Sequence, residues 1–258
     1  AVFVLVIYKD PNAEPASSFR MKDFTSSSDV PWHLNLDKIT YIYIQDGITG
    51  IGANFFSTVQ GTGNALSYVE IPKSVTYIGN NAFSGRDLAV FDDGDSDDIL
   101  DLSNVTELGE GAFSGCSKLT GITLNSALNS SSTTYPNEIP DRAFQDCPLT
   151  SLNFTGDSSS ITTIGQSAFS GNQISDLVLP DSVTVIEANA FAQSTALTSL
   201  TLPANLTTIG DGAFACSVGS PNRGLSSLSI PATVTTIGAN AFYSYVALDT
   251  VEINPKTV

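Results

Sequence analysis

Carboxylates are the residues in this chain whose types and spacing first suggest chemistry. The stretch AVFDDGDSDDILDL, residues 89–102, holds Asp92, Asp93, Asp95, Asp97 and Asp98 around Gly94. Side chains at near-alternate positions can offer several hard oxygens to one cation, as loops that hold Ca²⁺ do. The glutamate that closes an EF-hand loop is missing. The stretch therefore reads either as a calcium loop of another kind or as a solvated acidic loop. Catalytic sets fare worse. His33 is the single histidine, so a Ser–His–Asp triad would have to use it, and no G-x-S-x-G turn is present. A histidine-based metal site fails on count. No cofactor is implied.

The three cysteines, Cys116, Cys147 and Cys216, form no disulfide framework by their odd number. Two of them lie three residues after a recurrent phenylalanine, and Cys216 lies two after one. That regular placement reads as small buried thiols. A Cys116–Cys147 bridge between neighbouring coils is the alternative.

A second group with chemical potential is aromatic. In ITYIYIQDG, Tyr41 and Tyr43 alternate with Ile39, Ile42 and Ile44, and Tyr68 and Glu70 occupy matching places further on. Tyr41, Tyr43, Tyr68 and Glu70 should share one outward face of adjacent strands. Exposed tyrosines give large contact area at small entropic cost, so this face is a candidate recognition patch. Cross-strand pairing that only stabilises a sheet accounts for the same residues. The later outward positions are small and polar, as at Ser199/Thr201 and Ser227/Ser229, and paired catalytic acids do not recur among them. Trp32 reads as a shield for the first coil, with a ligand platform as the alternative.

The elements that must hold these residues are repeats. ITGIGANFF, VTYIGNNAF, VTELGEGAF, ITTIGQSAF, VTVIEANAF, LTTIGDGAF and VTTIGANAF are one phrase, and EIPDRAF is a worn copy. Their anchors are Phe56, Phe83, Phe113, Phe144, Phe169, Phe191, Phe214 and Phe242, spaced 22–31 residues apart. The shortest intervals set the unit, and longer ones carry insertions. In LTSLTLPANLTTIGDGAFAC, residues 197–216, Leu200 and Leu202 point inward along a strand, and Pro203 ends its ladder. Asn205 takes a polar slot shared with Ser74, Ser182 and Thr233, suited to bonding turn backbone. Gly210 turns the chain, and the following Asp-Gly-Ala-Phe reads as a short helical turn. Glu187 and Pro140 stand in the glycine slot. The turn there prefers glycine without requiring a left-handed backbone.

These units resemble the BspA-like leucine-rich repeats, also called the Treponema pallidum type, over roughly residues 30–258. The chain departs from that pattern at Phe55, Pro140 and Glu187 and in four insertions. The resemblance implies an α/β repeat solenoid: a right-handed leucine-rich-repeat array of about eight coils with a parallel sheet on one face. Short helical turns and loops form its other face, and an N-terminal β cap precedes it. Residues 1–47 are expected to form the N-terminal strands and cap, and residues 48–258 the solenoid. The resemblance further implies a non-enzymatic, adhesin-like binding protein, secreted or at the cell surface, that recognises an extracellular protein or glycan. The alternative is a structural spacer with no ligand of its own.

Charge narrows the partners. Lys+Arg number 10 against 26 Asp+Glu, a net charge of −16, which repels phosphate backbones and excludes nucleic acid. No run reaches the ~20 apolar residues of a membrane helix, and AVFVLVIY reads as a strand. VEINPKTV shows no polar cap, so a packing partner or further domains are expected at that end.

Overall fold

The computed structural model describes residues 3–8, 19–31, 38–57, 66, 68–87, 99–155 and 160–253. Trp32, His33, Asp92, Asp93, Asp95, Asp97 and Asp98 lie outside the described residues.

Period-two alternation builds two strand ladders. The front ladder holds Phe3–Ile7, Ile39–Ile44, Tyr68–Glu70, Ile99–Leu102, Gly121–Asn125, Ser151–Thr155, Asp176–Val178, Ser199–Thr201, Ser227–Ile230 and Thr250–Ile253. The side ladder holds Phe19–Arg20, Ile48–Ile51, Tyr77–Ile78, Glu107–Leu108, Glu138–Ile139, Thr163–Ile164, Val185–Ile186, Thr208–Ile209 and Thr236–Ile237. Every strand pairing is parallel. The polar slot between the ladders works through its side chains. Ser182 donates to the Ile161 carbonyl at 2.6 Å, Asn205 to Asp181 at 2.9 Å and Thr233 to Ala204 at 2.8 Å.

The third side of each coil is the phenylalanine arc, and here the expected α/β architecture is corrected. The chain is an all-parallel β-solenoid of about seven turns, not an array of about eight coils with helical turns. Eight anchor phenylalanines bound seven stacked steps, with ring centroids 5.1–5.5 Å apart. The arc is not helical because its N–H groups go elsewhere. Asn81, Phe83 and Gly85 donate to Glu110, Ala112 and Ser114 of the next coil, while Ala82, Ser84 and Arg86 close i→i−3 turns. A left-handed residue two places before each phenylalanine enforces this: Asn54, Asn81, Gly111, Arg142, Ser167, Asn189, Gly212 and Asn240 all have positive φ. Isolated left-handed residues interrupt a right-handed helix. Among the described residues the one helical piece is the 3₁₀ turn Ser27–Asp29, outside the arcs.

The glycine slot is explained by closeness and not by φ. Gly79, Gly165 and Gly210 have no positive φ. A Cβ on them would lie 2.6 Å from the Ala53 nitrogen, 2.7 Å from the Ile139 oxygen and 2.7 Å from the Ala188 nitrogen of the preceding coil. The core is continuous, with all anchors except Phe242 fully buried. Phe55, where other coils have Ala, stands edge-on to Phe56 at 4.9 Å and closes the N-terminal end of the stack. Tyr245 does the same for Phe242 at 5.9 Å. The cysteine positions belong to a slot of donors: Cys116 and Cys147 are free buried thiols bonded to the Phe83 and Phe113 carbonyls at 3.4 and 3.1 Å. Burial, then the neighbouring Cys147, pushes the Cys116 thiol well up. In the same slot after Phe83, Arg86 bonds the carbonyls of Phe56 and Ser57.

Candidate functional site

The parallel register brings the four tyrosine-face residues together. Tyr41 pairs with Tyr68 and Tyr43 with Glu70, while Val4 and Val6 stand beside Tyr41 and Tyr43 on the other flank. Inward Ile42, Ile44 and Val69 are buried, so alternation leaves the tyrosines outward. The Tyr41 hydroxyl donates to Glu70 at 3.1 Å. Burial, then that bond and the carboxylate charge, raises the Tyr41 pKa. Tyr68 is 39% and Val4 53% exposed. The result is an aromatic and aliphatic strip across three strands, edged by one carboxylate. Beyond it the outward rows run Ile99, Gly121, Ser151 and Asp101, Thr123, Asn153, and they carry no aromatic side chain.

A second assembly lies on the side ladder, and sequence reasoning missed it. Its outward row runs Arg20, Gly50, Tyr77, Glu107. Gly50 leaves room for Arg20: a Cβ there would meet the Arg20 Cγ at 2.9 Å. Arg20 thus crosses to Tyr77, its guanidinium 3.4 Å from the ring centroid, and pairs with Asp23 at 2.9 Å. The ladder then breaks between Glu107–Leu108 and Glu138–Ile139, at the insertion that follows Asn125. Asn129, 1% exposed and left-handed at φ 57°, bridges the break. Its Oδ1 accepts from the Leu108 N–H at 2.9 Å, and its Nδ2 donates to the Leu108 and Glu138 carbonyls at 3.1 and 2.9 Å. The side-chain amide replaces a peptide unit of the missing strand.

Just beyond the break, Glu138, Asp141 and Glu187 converge, with one carboxylate oxygen of each within 4.8 Å of the others. The Glu138 side chain lies over Gly165, where a Cβ would come 2.7 Å from its Oε1. Burial, then Glu187 and Asp141, pushes the Glu138 carboxyl up to about 7. Glu187 is raised by burial and by Asp141. Half-buried acids this close favour keeping a proton among them near neutrality. The departures at Pro140 and Glu187 were the sequence signal for this spot. What they lacked was the stacking that sets coils beside each other.

The repeat geometry now has a counterpart among known proteins. The model of the BspA type leucine-rich-repeat region matches residues 33–135 and 137–258, in six copies. The chain belongs to that family. It is similar to a leucine-rich repeat protein from Bacteroides ovatus ATCC 8483, at 26% identity and a TM-score of 0.58 over 74% of this chain and 46% of the other. A leucine rich cell surface protein from Faecalibacterium prausnitzii A2-165 aligns at 25% identity and a TM-score of 0.51, over 87% of this chain and 63% of its own. A leucine-rich repeat protein from Eubacterium ventriosum ATCC 27560, at 19% identity and a TM-score of 0.51, shares the fold over 98% of this chain and 68% of its own. The chain spans under half of the first structure's length and under two thirds of the second's. No curated protein matches it. Its repeats are those of a BspA-type scaffold, and the Faecalibacterium prausnitzii protein it resembles is a cell surface protein. No helix among the described residues is long and apolar enough to cross a membrane.

Proposed function

We propose that this BspA-type protein is a binding module whose N-terminal tyrosine face engages an extracellular protein or glycan. The observation that supports it is the in-register set Tyr41/Tyr68 and Tyr43/Glu70, flanked by Val4, which gathers three tyrosines on adjacent strands. Rigid aromatics with a carboxylate at their edge supply both contact area and direction. The test replaces Tyr43 and Tyr68 by Ser and measures binding to arrays of matrix proteins and glycans beside the melting temperature. Binding should fall at least ~10-fold, the loss of about 1.4 kcal/mol, with the melting temperature nearly kept. Lost stability with unchanged binding removes the proposal. A structural spacer is the second reading, favoured by the small outward pairs Gly121/Ser151, Thr123/Asn153 and Ser227/Thr250; it expects no saturable partner in the same arrays.

A further inference from the structure

We infer that the groove beside Tyr77 and Tyr135 is a second recognition site, one that takes a lysine or arginine side chain from a basic segment of a partner protein. The groove measures about 270 Å³ and lies where the side ladder breaks. Tyr77 and Glu107 line it from the side ladder, Asn80 from the turn after Tyr77–Ile78, and Ser132, Thr134 and Tyr135 from the insertion. Asp23 and Ala53 line it as well. Sites for drug-sized ligands run from about 300 Å³ upward. This volume suits one inserted side chain.

The walls are held before any ligand arrives. Tyr77 is pinned by the Arg20 guanidinium on its ring. Tyr135 is fixed through its hydroxyl, which donates to Glu110 at 3.3 Å, and Glu110 is held in turn by Arg142. The insertion cannot swing away without breaking the buried Asn129 bonds to Leu108 and Glu138. A site so preorganised loses little entropy on binding.

Charge selects the occupant. Among the described residues, no Lys or Arg lines the groove. Two of the acids nearby are already neutralised, Asp23 by Arg20 and Glu110 by Arg142. The half-buried Glu107 carboxylate has neither a hydrogen bond nor an ion pair among the described residues. Tyr77 therefore has a cation–ring–acid set with Arg20 and Asp23, and next to it Glu107, an acid paired with no cation among the described residues. The downstream rim is acidic as well: Glu110, Asp141 and Glu138 all act on Tyr135, and with burial, the largest cause, they push its hydroxyl up to about 12. A cation with an alkyl stem matches an acid beside aromatic surface. The net charge of −16 draws such partners to the surface.

The test is calorimetric titration of the whole chain with trilysine and triarginine peptides, at low salt and at 0.5 M NaCl, with triglutamate and a neutral mannotriose as controls. Three variants are compared: Glu107→Gln, Thr134→Trp to fill the groove, and Asp176→Asn, which removes one exposed charge from the front ladder. Glu107→Gln and Thr134→Trp should each weaken the basic peptides at least ~10-fold, about 1.4 kcal/mol, and Asp176→Asn should change them less than ~2-fold. Equal weakening by Glu107→Gln and Asp176→Asn overturns the inference, because binding would then be diffuse charge attraction. So does tighter, Glu107-dependent binding of the saccharide. A melting curve on each variant identifies any fold loss, and the two groove variants change different residues, so one carries the test if the other unfolds. The tyrosine face is intact in all three.

Discussion

The phenylalanine arc and the side ladder respond to the same insertions in opposite ways. The arc stacks ring on ring through all eight anchors, past every change of coil length. The side ladder splits into a four-stranded and a five-stranded piece at the insertion carrying Asn129, and the front ladder splits into four. The difference lies in what each bond set demands. The arc needs only a small residue, a left-handed residue and a ring in fixed order, and insertions fall outside that phrase. The strand ladders need neighbouring peptides in register, so an added loop displaces them. Stability is thus concentrated in the repeated phrase, while the interruptions are free to form grooves.

Three measurements would break or sharpen this contrast. The largest effect is expected at Phe144, fully buried between Phe113 and Phe169 at 5.5 Å on each side. Phe144→Ala should cost about 3–5 kcal/mol in urea unfolding; a cost below about 1 kcal/mol would remove the arc as the stabilising spine. Next comes Asn129→Ala, which strips the Leu108 and Glu138 backbone groups of their buried partner. It should cost about 1–3 kcal/mol and loosen amide exchange at Leu108 more than at Phe113. Equal protection at the two would show that the break is not held by the amide.

The smallest effect is in pH. The Glu138 carboxyl sits at about 7 in the fold, above the ~4.3 of a free glutamate. The fold therefore binds this proton more tightly than the unfolded chain does. The resulting stability is full below the free value and is lost as pH rises through about 7. Because Glu138 is half exposed, solvent screening reduces the effect to about 1 kcal/mol. Unfolding midpoints at pH 5 and pH 8 should differ in favour of pH 5, and Glu138→Gln should shrink the difference. An unchanged difference in the variant would place its source elsewhere.

Much of the architecture was legible because the repeat phrase is local. Inward Leu and Ile, the polar slot at Asn205 and the anchor phenylalanines follow from alternation and spacing. The tyrosine face was legible too, since equal register puts Tyr41 beside Tyr68. The helical turn was misread, although a signal was present: Asn54, Asn81, Asn189, Asn240, Gly111 and Gly212 fill one slot with the residue types that accept a left-handed backbone. Arg142 and Ser167 in that slot obscured it. The groove and the Glu138–Asp141–Glu187 cluster were not legible. Their members come from different coils, and only the path of the insertion decides which side chains meet.

The bonds of the phenylalanine arc have a mechanical consequence. Alternate N–H groups point along the solenoid axis, each to the carbonyl of the next coil. A pull along that axis loads those bonds along their own direction, coil after coil, with no shear to share the force. Each coil that lets go releases 22–31 residues, roughly 70–110 Å of chain. Under tension the array lengthens in steps, as an extensible tether and not as a rod with one breaking load.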